Sequence, residues 1–221
     1  MRGVKYYWKR QQYPLRRAEV ALQAEQTDEQ LLELALNGNE DAFTALYRRR
    51  QGPVYRFAMH MSGSPQVAEE VTQEVFLFLI QRGRDFDPQR AALGAYLFGV
   101  ARNYVRRAME KSYSEAVHTT PAEDDDPALV TEFDPEQDIA RSQTSRAVRK
   151  AVLSLPEHYR EVVVLCDLQE QSYAQAAEAL GCALGTVRSR LHRAHEMLMR
   201  KLQGTAPALS GFSGDAARCL S

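Results

Sequence analysis

Apolar side chains return every three or four positions along most of this chain, the spacing of helices that bury one face. The pattern predicts helices over Asp28 to Leu36 and Glu40 to Arg50, split by Asn37-Gly38-Asn39, with Leu31, Leu32, Ala35, Phe43, Leu46 and Tyr47 inward. A third helix runs from about Pro53 to Met61 and ends at Ser62-Gly63-Ser64-Pro65. Gln66 to Arg82 follows, apolar at Val67, Val71, Val75, Phe78 and Leu79, with Glu69, Glu70, Gln73 and Glu74 on its other face. Gly83 to Leu93 has no such period and reads as a loop containing Phe86, Asp87 and Pro88. Gly94 to Lys111 is helical again, apolar at Leu97, Val100, Ala101, Tyr104 and Val105 and basic at Arg102, Arg106, Arg107 and Lys111.

The period resumes at Arg141 to Leu153. Leu155-Pro156-Glu157 then opens a helix on proline, with Val162, Val163, Leu165 and Leu168 behind it. The last apolar segment, Ser172 to Leu202, is the most informative. Ser172 is placed to cap a short helix, Gly181 supplies the turn, and Leu184, Val187, Leu191, Ala194 and Leu198 form the buried stripe of a second helix. Two helices crossing steeply need a small residue at the contact, tolerance of positive φ in the turn and an apolar wedge. Ala177, Gly181 and Val187 fill those places. That is a helix-turn-helix. Its second helix leaves Thr186, Arg188, Ser189, Arg190, His192 and Arg193 on or near the outward face, in the half that such motifs insert into the major groove. Arginines alone would equally suit a solvated amphipathic face. The required small and apolar residues at their offsets favour DNA.

The fold class that follows is all-α: two small helical domains joined by a flexible acidic linker, the second ending in the helix-turn-helix. The boundaries are a basic and aromatic extension over 1–26, a first domain over 27–111, the linker over 112–140, a second domain over 141–203 and a tail over 204–221. Charge supports this division. The net charge is only −1 over 221 residues. Yet 112–140 holds nine acidic and no basic side chains, while 1–26 and 141–203 each carry a basic excess. An acidic segment with Pro121, Pro127 and Pro135 buries too little to offset its ordering entropy.

Composition excludes several classes. No run of about 18 apolar residues predicts a membrane span, and the N-terminus lacks an apolar signal segment, so a cytoplasmic protein without membrane insertion is expected. Cys166, Cys182 and Cys219 have no metal-ligand spacing and read as reduced thiols. Neither a phosphate-binding glycine loop nor a catalytic Ser/His or Cys/His set is evident, so the expectation is no enzyme, no metal and no cofactor.

Four stretches occur in a telling order: AEEVTQEVFLFL around Gln73-Glu74-Val75-Phe76, FDPQRAALGAYLFGVARN over Phe86 to Asn103, LPEHYREVVVL, and GCALGTVRSRLHRA over Gly181 to Ala194. In that order they resemble the extracytoplasmic-function (ECF) sigma factors of the bacterial sigma-70 family, RpoE-like, over roughly Thr27 to Gln203 apart from the linker. The resemblance implies a protein that binds core RNA polymerase, recognises promoter DNA and helps melt it. It implies docking on the clamp helices and flap of the polymerase, with Glu69, Glu70, Gln73, Glu74 and Phe76 on the clamp-facing surface. It implies minus-ten recognition by Phe86, Tyr96, Arg102, Asn103, Arg106 and Arg107. Tyr96 stands where relatives usually carry Trp, and core packing is the simpler account of it. Thr186, Arg188, Ser189, Arg190, His192 and Arg193 would meet the minus-thirty-five element, and an anti-sigma factor would be a further partner. In this context the run Glu123 to Asp126 suits a basic channel built for nucleic acid.

One other reading stands beside this one, and one segment has no assigned role. A stand-alone helix-turn-helix regulator would need a ligand or dimerisation domain, which a first domain with its own basic helix matches poorly. Residues 1–26 interleave Tyr6, Tyr7, Trp8 and Tyr13 with basic side chains, a mixture suited to DNA or to a protein partner and equally to a disordered extension or an overextended start.

Overall fold

The computed structural model describes residues 26–116 and 145–203. The N-terminal extension, most of the acidic linker with Glu123 to Asp126, and the tail with Cys219 lie outside them. Every regular element among the described residues is helical.

The first unit has four helices. α1 spans Asp28–Leu36 and α2 spans Glu40–Ser62. α3 spans Pro65–Arg82, and α4 spans Leu93–Ala116. A capping box starts α1: the Thr27 hydroxyl accepts from the Gln30 amide, and the Gln30 side chain accepts from the Thr27 amide. Buried Asp28 then receives Arg49, at 2.7 Å, and Arg50 from α2. This pins α1 across the bundle. Asn39 caps α2, and Ser64 with Pro65 at the first helical position starts α3.

The expected break before Pro53 does not occur; α2 is one helix through it. Proline removes one ladder bond and crowds the preceding turn, at about 3 kcal/mol. Leu46 lies before it and Val54 and Phe57 after it, all fully buried on one stripe. Packing on both sides outweighs the local break. Two further boundaries move. The segment after α3 begins with a short 3₁₀ turn, Gly83–Asp85. α4 continues to Ala116, five residues into the expected linker.

In the second unit, α5 covers 145–153 and α6 spans Glu157–Val163, running into a π-helical turn over Val164–Leu168. α7 spans Tyr173–Leu180 and α8 spans Leu184–Gln203. The Ser172–Gln175 capping box opens α7. Gly181 ends it with φ at 62°, the left-handed conformation in which a side chain is strained. A Cβ there would meet nothing within 4 Å, so conformation, not space, requires the glycine. Val187 and Ala194 are fully buried and Leu191 nearly so. Two expectations need correcting here. Leu184, the first residue of α8, is exposed, and Ala176 is the fully buried small residue of α7, with Ala177 only partly covered.

The two units do not stand apart. Their apolar residues form one continuous cluster from Leu31 to Ala194. The Arg160 guanidinium donates to the Met61 carbonyl at the end of α2, at 2.6 Å, and to the Leu153 and Leu155 carbonyls. Leu153 packs over Gly63, whose added Cβ would lie 3.0 Å from it. α4 meets α7 so closely that a Cβ on Gly99 would come within 3.1 Å of the Ala179 carbonyl oxygen.

Candidate nucleic-acid interface

The buried stripe of α8 fixes which side chains face out. With Val187, Leu191 and Ala194 inward, Arg188, Ser189, His192 and Arg193 are exposed, and Thr186 and Arg190 flank them half-covered. The Ser189 hydroxyl donates back to the Thr186 carbonyl at 3.1 Å, and His192 lies 3.5 Å from Glu196. No ion pair among the described residues occupies Arg188, Arg190 or Arg193. His195 anchors the helix from its other flank: its Nε2 is 2.7 Å from an Asp167 carboxylate oxygen in the π turn. That hydrogen bond raises the imidazole pKa, against a smaller opposing effect of burial.

The residues expected to meet melted DNA divide into two groups. Phe86 and Tyr96 come together, ring centres 5.2 Å apart, with Phe78 behind Tyr96 at 6.4 Å. They line a pocket of about 320 Å³ with Asp85, Asp87, Arg90 and, from α7, Glu178. Burial pushes the Tyr96 hydroxyl pKa up, and Asp85 adds to this. Tyr96 is thus packed on one side and open to the pocket on the other. Along α4, Asn103 is exposed and Arg107 lies 5.9 Å over the Tyr104 ring. Arg102 and Arg106 turn instead to the second unit. Arg102 pairs with Glu161, and Arg106 lies 3.3 Å from Glu157.

On α3, Glu69, Glu70 and Gln73 are exposed and Glu74 is half-covered. Glu70 and Glu74 border Arg107 and Lys111 across a small groove. Phe76 is not on this face. It is 3 % exposed, packed edge-on against Tyr47 at 4.7 Å and Phe43 at 6.4 Å. Leu77 and Ile80 extend the outward stripe, and both are about half exposed. A four-residue step from Gln73 to Leu77 is a signal the sequence carries, although an aromatic is the more obvious candidate for a contact.

Glu157, Glu161 and Glu178 also escape a motif search. Their one sequence cue is spacing: Glu157 and Glu161 are four apart on α6, as Arg102 and Arg106 are on α4. Among the described residues, no cluster of three or more metal-ligating side chains exists, and no helix is long and apolar enough to cross a membrane.

Helices of this kind, with a basic helix-turn-helix on one unit and an aromatic pocket beside a basic helix on the other, define a two-unit all-helical protein with two candidate nucleic-acid surfaces. Sigma-70 region 2 matches residues 46–114, and sigma-70 region 4 matches 145–198. The ECF sigma factor SigE of Mycolicibacterium smegmatis is 32% identical over 69% of this chain and 58% of its own length. The chain therefore spans under two thirds of that relative. The ECF sigma-E factor of Escherichia coli is 31% identical over 80% of this chain and 95% of its own. The chain belongs to the ECF RNA polymerase sigma factors. The structure of RpoE with the anti-sigma factor NepR from Bartonella quintana superposes with a TM-score of 0.57, at 25% identity, over 73% of this chain and 96% of that one.

Proposed function

We propose that the chain acts with core RNA polymerase as a promoter specificity factor, gripping DNA at two places and performing no catalysis of its own. The observation that carries this is the outward face of α8: three arginines without an acidic partner among the described residues, held over a fully buried Val187 and Ala194. Arg188 and Arg193 are suited to bidentate pairing with guanine, each worth about 1–3 kcal/mol of discrimination. Ser189 and His192 read neighbouring edges, and Thr186 and Arg190 meet phosphates. This face takes the minus-thirty-five element as duplex.

The Phe86–Tyr96 pocket takes an unstacked base of the minus-ten element against two aromatic rings. Asn103, exposed further along the same helix as Tyr96, offers a donor and an acceptor, and Arg102, Arg106 and Arg107 hold the backbone. Glu69, Glu70 and Gln73 on α3, joined by Leu77 and Ile80, face the polymerase clamp helices. Charge there steers association, and the two apolar side chains add buried area. Phe76 supports this surface from inside. The second unit meets the polymerase flap. An anti-sigma protein is a further partner, as in the RpoE–NepR complex, and the site of action is the cytoplasm.

Co-migration with core polymerase and transcription in vitro from a promoter library test the reading together. Support of initiation at a defined class of promoter is expected. Binding to operator DNA without any association with polymerase would overturn it in favour of a stand-alone regulator. Glu70→Ala with Gln73→Ala should weaken polymerase association and leave α8 reading its duplex.

A further inference from the structure

We propose that the segment Tyr6 to Tyr13 docks, within the same chain, in an apolar groove formed by α1, α2 and α3, with Trp8 as its anchor. This goes beyond the promoter reading and does not depend on it.

The groove holds about 610 Å³, and no residue of α4 or α8 lines it. Leu32 and Leu79 in its lining are buried, Leu36 and Phe43 are half-buried, and Ile80 is 56% exposed. Its walls are fixed. The Arg84 guanidinium donates to the Leu36 carbonyl at 3.1 Å, tying the end of α1 to the turn after α3. Residue 83, in that turn, is a glycine whose added Cβ would lie 3.1 Å from the Leu36 side chain. An apolar hollow of this size, held open by its frame, is shaped for an apolar occupant. The Phe43 ring, already edge-on to Phe76, offers that occupant an aromatic partner.

Charge narrows the choice of occupant. Glu33 on α1 and Glu40 and Asp41 in the first turn of α2 are exposed, and Glu40 lines the groove itself. None of the three has an ion-pair partner among the described residues. An aromatic segment with basic flanks therefore complements both the apolar lining and the acidic edge. The chain carries such a segment: Tyr6, Tyr7, Trp8 and Tyr13 alternate with Lys5, Lys9 and Arg10, and Arg16 and Arg17 follow.

Geometry allows the contact. The Arg49 guanidinium donates to the Gln26 carbonyl at 2.9 Å, which holds the start of the described chain on α2, the helix that supplies Phe43. Trp8 lies 18 residues before Gln26. That length spans up to about 60 Å when extended, whereas Leu36 is only about 14 Å along α1 from Thr27. Attachment to α1 also makes the event intramolecular, so a high local concentration replaces the need for high intrinsic affinity.

Trp8 is the only tryptophan in the sequence, so its fluorescence reads the contact directly in the full-length chain. Its emission should lie to the blue of that of a free peptide of residues 1–25, and acrylamide should quench it less. Ile80→Lys should return both readings to the values of the peptide with helical circular dichroism unchanged, since Ile80 is exposed and lysine repels the basic flanks. If that variant loses helical content, Thr44→Arg is read instead, because Thr44 is an exposed residue of the same lining. Trp8 as accessible in the wild type as in the peptide would overturn the proposal. So would protection that the folded variant leaves intact, which would put Trp8 somewhere other than this groove. Protection that falls with dilution would seat the segment on a second copy and overturn docking within one chain. Neither DNA nor polymerase is present in these measurements. A failed contact leaves the sigma-factor reading standing, and failure to support initiation leaves the docking standing.

Discussion

α4 and α8 are both amphipathic helices with arginines on their outer faces, yet the structure treats those arginines in opposite ways. On α8, Arg188 and Arg193 are exposed over a stripe of buried Val187, Leu191 and Ala194. On α4, Arg102 and Arg106 stand against Glu161 and Glu157. The difference lies in what the facing element carries, not in the helices themselves. A basic helix shows which surface is available for phosphate, and only its neighbours decide whether that surface is available now.

The sharpest way to break this comparison is to remove one arginine from each helix. Arg102→Ala strands a buried carboxylate, which costs the folded chain about 3–5 kcal/mol. In denaturant unfolding this should emerge as lost stability or, if the units separate to hydrate Glu161, as an expanded chain with a lower first transition. Arg193→Ala should leave unfolding within about 0.5 kcal/mol of wild type, as surface changes do. An equal response at both positions would mean that Arg102 is as free as Arg193.

Arg193→Ala has its effect in binding. A loss of about 1–3 kcal/mol is expected on duplexes carrying the preferred minus-thirty-five sequence, with relaxed preference at one base pair. A uniform loss on every duplex would instead make Arg193 a phosphate contact. Arg107→Ala gives the complementary case on α4. Its cation–π contact with Tyr104 is exposed and its loss should barely change stability, so any effect should be confined to single-stranded DNA.

What could be read in the sequence follows the range of the forces involved. The helix-turn-helix was legible because its determinants are local: Ser172 and Gln175 cap within one turn, Gly181 answers to its own φ, and Val187 repeats at helical spacing. Ser172→Ala should accordingly cost about 1 kcal/mol, the ordinary value of such a cap, and loosen α7 without touching the α1–α3 bundle. Hydrogen exchange in α7 against α2 would measure that. Pro53 misled because its cost is local while the compensation from Leu46, Val54 and Phe57 is tertiary. Phe76 misled for a similar reason, since position on an acidic helix did not show that its ring turns towards Tyr47. The pairing of Arg102 with Glu161 was the least legible, because the two residues are far apart in the chain and neither belongs to a motif that requires the other.

The smallest expected effect concerns pH and belongs to α8 alone. His195 is hydrogen-bonded to Asp167, which raises its pKa above the ordinary 6.5 of histidine. A raised folded-state pKa contributes stability that is fully present below the unfolded value and is lost as pH climbs through the folded one. The second unit should therefore be held most firmly below about pH 6.5 and loosen above the raised value. Both partners are partly exposed, so the effect is modest. His60 works in the opposite sense, its pKa lowered by burial and by Arg149 and Arg56, and would obscure a simple pH profile. Asp167→Asn separates the two, because His60 is common to both proteins. The stability difference between wild type and Asp167→Asn should be largest at pH 6 and shrink towards pH 9. A difference that does not change with pH would make the His195–Asp167 contact a neutral hydrogen bond, and α8 would then be held on α6 and the π turn by packing alone.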